Sequence, residues 1–134
     1  MDTLTREHRS WNMSRIRSRN TKPEQAVRSA LHQLGFRFRL STGQRVFGRP
    51  DVVLPKYRTA IFVHGCFWHR HAKCRFCYTP KSRTQFWRRK FSANQRRDRE
   101  VRRRLRREGW RVVIIWECQL LEKNFLQRKL SQIR

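Results

Sequence analysis

Residues 59–74 read TAIFVHGCFWHRHAKC, an apolar run that passes without a break into polar and aromatic side chains. The run from Thr59 to Val63 predicts a central buried strand, because short continuous apolar stretches are typical of strands covered on both faces. Phe62 to Cys74 then carries three histidines, two cysteines and a Phe-Trp pair. Open α/β sheets bind ligands where their strands end. This stretch therefore predicts both the middle of the sheet and the position of the functional site.

The sequence on either side predicts a single α/β domain, residues 1–134, in which helices flank a mixed sheet. Thr21-Lys22-Pro23-Glu24 is typical of a helix start and Gly35 of a helix end. The predicted elements are, in order, a helix closed by Gly35, strands at 36–40, 51–54 and 59–63, a long helix from Thr84 closed by Gly109, a strand at 110–116, and a short helix from Gln119. Residues 1–20, polar and rich in arginine, are interpreted as a basic N-terminal arm.

The charge of the chain indicates a polyanionic partner. The sequence has 34 Lys and Arg against 9 Asp and Glu, a formal net charge of +25, and such a surface repels itself unless a polyanion binds it. No stretch approaches the roughly 18 apolar residues of a membrane span, and no signal peptide opens the chain. We therefore expect a cytoplasmic protein that binds nucleic acid and not a membrane.

The four cysteines indicate a metal rather than disulfides, because a reducing compartment is expected where no secretory signal is found. Cys66, His71 and Cys74 lie close together in sequence, and Cys118 follows the predicted strand 110–116, so a sheet can bring it alongside. Three or four ligands of this kind suit tetrahedral zinc. Two alternatives stay open: Cys77 replaces Cys74 as a ligand, or Cys118 is a buried thiol with no metal.

A second set of residues favours acid–base chemistry beside a cation. Asp51 follows Gly-Arg-Pro and opens an apolar strand, where a carboxylate has no packing reason to lie. One carboxylate, a backbone carbonyl and waters can hold Mg²⁺ on a phosphate, while a turn-forming Asp is the alternative. Glu24 is either an acid that supports this site or a partner of the helix dipole. His64 and His69 flank Cys66, and their imidazoles can exchange protons near neutral pH.

The aromatic residues indicate contact with DNA bases. Phe67 and Trp68 are adjacent large aromatics in a predicted loop, and both are not expected to face a core. Apolar side chains that enter the base stack kink a duplex, and unstacking costs least at a mismatch. The pair therefore predicts a wedge that favours damaged DNA. Trp87 either assists the wedge or belongs to the apolar stripe of the long helix, which consists of Trp87, Phe91, Asn94, Asp98, Val101 and Leu105.

Four motifs together resemble the very-short-patch-repair (Vsr) DNA mismatch endonucleases: GRPD at 48–51, IFVHGCFWH at 61–69, FW at 86–87, and GWRV with WEC between 109 and 118. The resemblance implies a restriction-endonuclease-like fold of the PD-(D/E)XK type, in which the FVHG stretch replaces the usual acid-x-lysine motif. One residue is inserted between His71 and Cys74 relative to the family's tighter spacing, which keeps the identity of the fourth zinc ligand in question.

The resemblance also implies a role for each candidate residue. Asp51 and the main-chain carbonyl of Val63 bind catalytic Mg²⁺, and His69 is the base or acid around the attacking water. His64 and Glu24 support this site. The implied ligands of a structural zinc are Cys66, His71, Cys74 and Cys118. The implied wedge residues are Phe67, Trp68 and Trp87.

The implied activity is nicking of one strand of duplex DNA beside a T:G mismatch, the lesion left when 5-methylcytosine deaminates, which initiates very short patch repair. The implied partners are the T:G duplex and a stimulating mismatch-repair protein of the MutL type. A monomer associated with the bacterial nucleoid is expected. From the residues alone, two alternatives stay open: a zinc-stabilised nucleic-acid-binding module without catalysis, and a restriction-like nuclease that cuts paired duplex.

Overall fold

A computed structural model describes residues 21–40, 46–72, 74 and 77–133, so the predicted basic arm at 1–20 lies outside the described residues. The helices and strands are α1 Lys22–Gln33, β1 Arg39–Leu40, β2 Val52–Leu54, β3 Thr59–His64, α2 Thr84–Arg107, β4 Arg111–Trp116 and α3 Phe125–Ser131. Short 3₁₀ turns occupy Pro55–Tyr57 and Glu117–Leu121. The predicted order of helix, three strands, helix, strand and helix is confirmed.

The four strands form one mixed sheet in the order β1-β2-β3-β4. The pairs β1–β2 and β2–β3 are antiparallel, whereas β3 and β4 are parallel. A parallel pair needs a long crossover, and α2 lies in that connection. The register places His64 beside Trp116, so the residues that follow β3 and those that follow β4 leave the sheet at the same edge.

Both faces of the sheet are covered, which is why β3 is apolar along its length. One core cluster joins α1 and α3 to the sheet and includes Val27, Leu31, Leu54, Ile61, Ile115 and Leu130. The other lies under α2 and consists of Ala60, Phe62, Val101 and Leu105. Within the described ranges, no helix is long and apolar enough to cross a bilayer.

Two predicted boundaries differ from the structure. The strand predicted at 36–40 is reduced to Arg39–Leu40, because Phe36 closes the end of α1: its N–H donates to the carbonyl of Leu31 at 2.9 Å and its ring is buried. The last helix begins at Phe125 rather than at Gln119, since Glu117–Leu121 forms a 3₁₀ turn.

The segment before β2 lies directly on α2. Gly48 has φ +81°, and a Cβ added there would lie 2.4 Å from Cγ1 of Val101. Only glycine suits this backbone conformation and this approach. The contact fixes the chain at Gly48, three residues before Asp51. The N–H of Asp51 in turn donates to the carbonyl of Ile61 at 3.0 Å.

Candidate active site and metal centre

A pocket of about 740 Å³ opens between the start of α1, the residues before β2, the end of β3 and the middle of α2. The acidic and imidazole side chains that line it are Glu24, Asp51, His64, His69, Asp98 and Glu117. The predicted candidates Glu24, Asp51, His64 and His69 thus face one cavity. Arg97 and Arg102 of α2 also line it, so the pocket combines carboxylates with positive charge.

Asp51 lies against the end of β3. The N–H of Val63 donates to Oδ2 of Asp51 at 2.6 Å. The N–H and C=O of one strand residue point the same way, since a paired residue exchanges both bonds with one partner, so the Val63 carbonyl leaves β3 on the side of Asp51. Burial raises the pKa of Asp51 to about 7; the Val63 hydrogen bond lowers the pKa, and the adjacent Glu24 carboxyl raises it. A buried pair of acids of this kind favours a bound cation.

His69 is oriented from α2. Its Nδ1 lies 2.7 Å from Oδ2 of Asp98, and both side chains are mostly buried. A carboxylate can only accept, so the neutral imidazole carries its proton on Nδ1 and keeps a lone pair on Nε2. The turn that carries His69 is held by the bond from its N–H to the Gly65 carbonyl, 3.1 Å. The amide of Asn94 adds a bond to the carbonyl of Trp68, 3.4 Å.

His64 packs beneath His69. The two rings are stacked, with centroids 3.8 Å apart and planes 5° apart. Burial, together with the effect of a charge on His69, lowers the pKa of His64 to about 4. His64 is therefore neutral near pH 7 and supports the ring above it. Its buried Nδ1 has no hydrogen-bond partner among the described residues.

A second cluster lies beside this pocket. The ligand atoms of Cys66, His71, Cys74 and Cys118 all lie within 4.8 Å of one another. Nδ1 of His71 is 3.6 Å from Sγ of Cys66 and 3.3 Å from Sγ of Cys118, and its ring stacks on Trp116 with centroids 4.2 Å apart. Cys118 is thus not an isolated thiol of the core.

The donor set of this cluster fits zinc. It consists of three thiols and one imidazole, and zinc bonds of about 2.0–2.3 Å place tetrahedral donors roughly 3.3–3.8 Å apart. Cys77 lies among the described residues but not in the group, so the structure brings Cys74 rather than Cys77 to the other three. Burial raises the pKa of the Cys66 and Cys118 thiols; a metal that holds thiolates offsets that effect.

The predicted wedge residues belong to an aromatic cluster, which we define as Phe67, Trp68, Trp87 and Phe91. Phe67 and Trp87 are each only 7% exposed. The rings of Phe67 and Trp68 both contact Trp87, at 5.5 and 5.7 Å between centroids, but only Phe67 is buried, whereas Trp68 is half-buried and lines the pocket. Phe67 and Trp68 lie in the turn after β3, whereas Trp87 and Phe91 lie in α2. Together the four rings form a small core outside the sheet.

Two residues of the site were not assigned a role from the sequence. Asp98 lay in the apolar stripe of α2, and an acid at such a position was the signal for a buried partner. Glu117 lay in the WEC motif, and its Oε1 accepts the N–H of Cys66 at 2.9 Å. This bond ties the start of the turn after β3 to the residue before Cys118.

Fold and site together define an α/β protein with a carboxylate-and-imidazole pocket beside a thiol-and-imidazole cluster. The family model described as "DNA mismatch endonuclease Vsr" matches residues 1–75. The chain is similar to "Type II nicking enzyme V.XorIIP" of Xanthomonas oryzae pv. oryzae, with 46% identity over 98% of this chain and 96% of that protein. It is also similar to "DNA mismatch endonuclease Vsr" of Escherichia coli (strain K12), with 44% identity over 89% of this chain and 75% of that protein.

A third relative, "Type II nicking enzyme V.NmeAIP" of Neisseria meningitidis, is 41% identical over 98% of this chain and 93% of that protein. The chain therefore belongs to the Vsr DNA mismatch endonuclease family. Membership supports DNA-cleaving hydrolase as the enzyme class and a nuclease fold for the mixed sheet.

Proposed function

We propose that the protein nicks one strand of duplex DNA beside a T:G mismatch left by deamination of 5-methylcytosine, and so initiates very short patch repair. The observation that carries the proposal is the single pocket that combines Asp51, hydrogen-bonded to the end of β3, with the His69–Asp98 pair. The names of the relatives, which include both nicking enzymes and a mismatch endonuclease, support the cutting of one strand and the action at a mismatch.

The fold we propose is restriction-endonuclease-like, of the PD-(D/E)XK type. Asp51 immediately precedes β2, and Val63 lies near the end of the neighbouring β3, which supports the reading of FVHG as the altered partner strand. Asp51 and the Val63 carbonyl would hold Mg²⁺, and Glu24 would support them. When bound, Mg²⁺ supplies positive charge that offsets the phosphate and lowers the pKa of a water.

His69 moves the proton in this proposal. Its Nδ1 is tied to Asp98, so Nε2 is the atom that accepts a proton from the attacking water or returns it to the leaving oxygen. His64, neutral and stacked at 3.8 Å, holds the ring of His69 in place. Arg97 and Arg102 bring positive charge to the same pocket and would bind flanking phosphates.

The second cluster would hold a structural zinc through Cys66, His71, Cys74 and Cys118, with Cys77 outside it. Zinc there would fasten the turn after β3 to the end of β4 without taking part in the reaction. Phe67, Trp68 and Trp87 would form the wedge that tests the stacking of the mismatched pair. Because Phe67 and Trp87 are buried in the aromatic cluster, their insertion requires that the cluster rearrange on DNA.

The proposal extends to partners and location. The protein would act as a monomer in the cytoplasm, at the nucleoid, with a mismatch-repair protein of the MutL type stimulating its turnover. The charge of +25 supports association with DNA. Sedimentation of the free protein and of its complex with T:G duplex tests the monomer.

The test is a nicking assay on matched duplexes that differ only in a T:G or T:A pair, with each strand labelled separately. We expect wild-type protein with Mg²⁺ to cut one strand of the T:G duplex. Asp51→Asn, which keeps an oxygen for the Val63 N–H, should abolish cutting, and His69→Ala should slow it by about 10²–10⁴-fold, while DNA affinity stays nearly unchanged in both. Glu122→Ala, an acid with 59% side-chain exposure, is the control and should cut normally.

The outcomes also separate the two alternatives. DNA that is bound but never cut by wild-type protein with Mg²⁺ would identify a binding module without catalysis. Equal cutting of both strands in the T:A duplex would identify a restriction-like nuclease. Either result overturns the proposal, since neither a T:G preference nor single-strand nicking would then hold.

A further inference from the structure

The aromatic cluster has an exposed margin. The large apolar side chains that are exposed among the described residues are Leu40, Tyr78, Phe86 and Leu121. Both aromatic members of this set adjoin the aromatic cluster: Tyr78 lies 4.7 Å from Phe67, and Phe86 lies 5.2 Å from Trp87, between ring centroids. We call Tyr78 and Phe86 the aromatic margin. Because both rings are exposed, packing in a core does not by itself explain why they lie there.

Tyr78 is held in its exposed position. Arg70 donates from Nη1 to the Tyr78 carbonyl and from Nη2 to Oγ1 of Thr79, each at 2.8 Å. The same guanidinium lies 4.0 Å from the centroid of Phe91. Arg70 thus fastens the segment of Tyr78 to the aromatic cluster, while the Tyr78 side chain remains 58% exposed.

The surroundings of the margin are cationic. The guanidinium of Arg83 lies 4.4 Å from the centroid of Phe86, and Nζ of Lys90 lies 5.9 Å from it. Exposed rings among cationic side chains are the combination that binds unpaired bases, because rings stack on bases and cations bind the backbone. An apolar protein partner would have to desolvate these charges. The chemistry of the margin therefore favours nucleic acid.

We propose that Tyr78 and Phe86 stack on nucleobases of the bound DNA and extend the base-contacting surface beyond the wedge residues. The inference rests on the proposed function for its DNA substrate. Phe67 and Trp87 are each 7% exposed, whereas Tyr78 and Phe86 are 58% and 40% exposed. The margin residues are thus the rings that a displaced base meets first.

The test compares DNA affinity among single variants by fluorescence anisotropy, with Ca²⁺ in place of Mg²⁺ to prevent cutting. Tyr78→Ala and Phe86→Ala should each weaken binding to a T:G duplex by about 5- to 150-fold, the range for loss of one stacked base. Tyr78→Phe keeps the ring and should bind as wild type. Leu121→Ala, which removes an exposed apolar group outside the aromatic cluster, is the control.

A second readout separates stacking from charge. Neither alanine variant changes the charge of the protein, so the slope of log Kd against log salt should stay as in wild type while the whole line shifts. Quenching of a 2-aminopurine placed beside the mismatch should fall in both variants. Thermal melts by circular dichroism should match wild type, because the substituted side chains are exposed.

Unchanged affinity of a folded Tyr78→Ala and Phe86→Ala overturns the inference. Tighter binding by Tyr78→Ala also overturns it, since Tyr78 would then be a cover that DNA must displace from Phe67. The proposed function is decided separately by whether wild-type protein nicks T:G duplex. If wild type fails to nick, the affinity comparison on the same duplex still decides whether the margin contacts bases.

Discussion

The hydrogen bond that orients the His69 imidazole leads to a specific prediction for variants of Asp98. Asp98 holds Nδ1 of His69 at 2.7 Å, and this bond keeps the lone pair on Nε2. Asp98→Ala removes the bond and frees the ring. Asp98→Asn is the more informative change, because its amide can donate to Nδ1 and so place the proton on Nε2. The variant closest in shape to wild type is therefore expected to be the less active one.

The magnitudes follow from the bond and the proposed role of the ring. A hydrogen bond to a charged group contributes about 1.5–3 kcal/mol, and each 1.36 kcal/mol is a tenfold change in rate, so Asp98→Ala should slow cutting about 10- to 150-fold. Asp98→Asn places the proton of His69 on Nε2, so that Nε2 can no longer accept a proton from water. Positioned acid–base catalysis contributes about 10²–10⁴-fold, and this is the loss of rate that we expect for Asp98→Asn. We expect Asp98→Asn to be slower than Asp98→Ala.

The assay is single-turnover nicking of a T:G duplex with enzyme in excess, together with the dissociation constant in Ca²⁺. Both Asp98 variants should lose rate and keep affinity. Glu100→Gln is the matched control, because it removes one negative charge from an exposed position on the same helix. It should cut at the wild-type rate.

Two results would refute this reasoning. One is an Asp98→Asn protein that cuts as fast as Asp98→Ala or faster. The other comes from combination with His69→Ala: residues that act as a unit are not additive, so Asp98→Asn should add no loss to His69→Ala. A further large loss in the double variant would mean that Asp98 acts elsewhere than through His69.

Other predictions address the metal, the packing and the charge. Wild-type protein should contain zinc, measured by elemental analysis; Cys118→Ser should lose this zinc and melt at a lower temperature, whereas Cys77→Ser should keep the zinc and the wild-type melting temperature. Gly48→Ala should lower the free energy of unfolding by about 2–5 kcal/mol, the sum of a left-handed backbone and an overpacked contact. Val101→Ala should recover part of that loss in a denaturant double-mutant cycle, and additive losses would refute the contact. Arg97→Ala should weaken binding to all duplexes and reduce the salt slope by about 0.9; an unchanged slope would exclude a phosphate contact.

Much of the fold was predictable because single stretches of sequence determine it. WRVVIIW became β4, and Gly35, with φ +82°, ends the turn that closes α1. The N-cap role of Thr21 was also readable, and its side chain accepts from the N–H of Glu24 at 3.3 Å. In each case the local pattern and the tertiary packing favour the same structure, which is the condition under which sequence reasoning succeeds.

The candidate site was predictable where its residues end or follow a core strand, and where an acid opens an apolar strand, as Asp51 does. His64, Cys66, His69 and His71 all follow or end β3. The partnership of His69 with Asp98 spans 29 residues, and it depends on how α2 crosses the sheet between β3 and β4. The burial of Phe67 depends on the same crossing. Periodicity places a residue on a face of a helix but does not specify what that face will meet.

The polar residues of the pocket and the thiol-and-imidazole cluster are structurally linked, because both include residues of the turn after β3. The parallel register brings His64 beside Trp116, and Glu117 then bonds the N–H of Cys66 at 2.9 Å. From this point the chain carries His69 into the pocket and His71 back to Cys118 within a few residues. A metal cross-link at Cys66, His71 and Cys118 would therefore set the position of His69 without contacting DNA, so that changes in the thiol cluster should reach the reaction through the geometry of one imidazole.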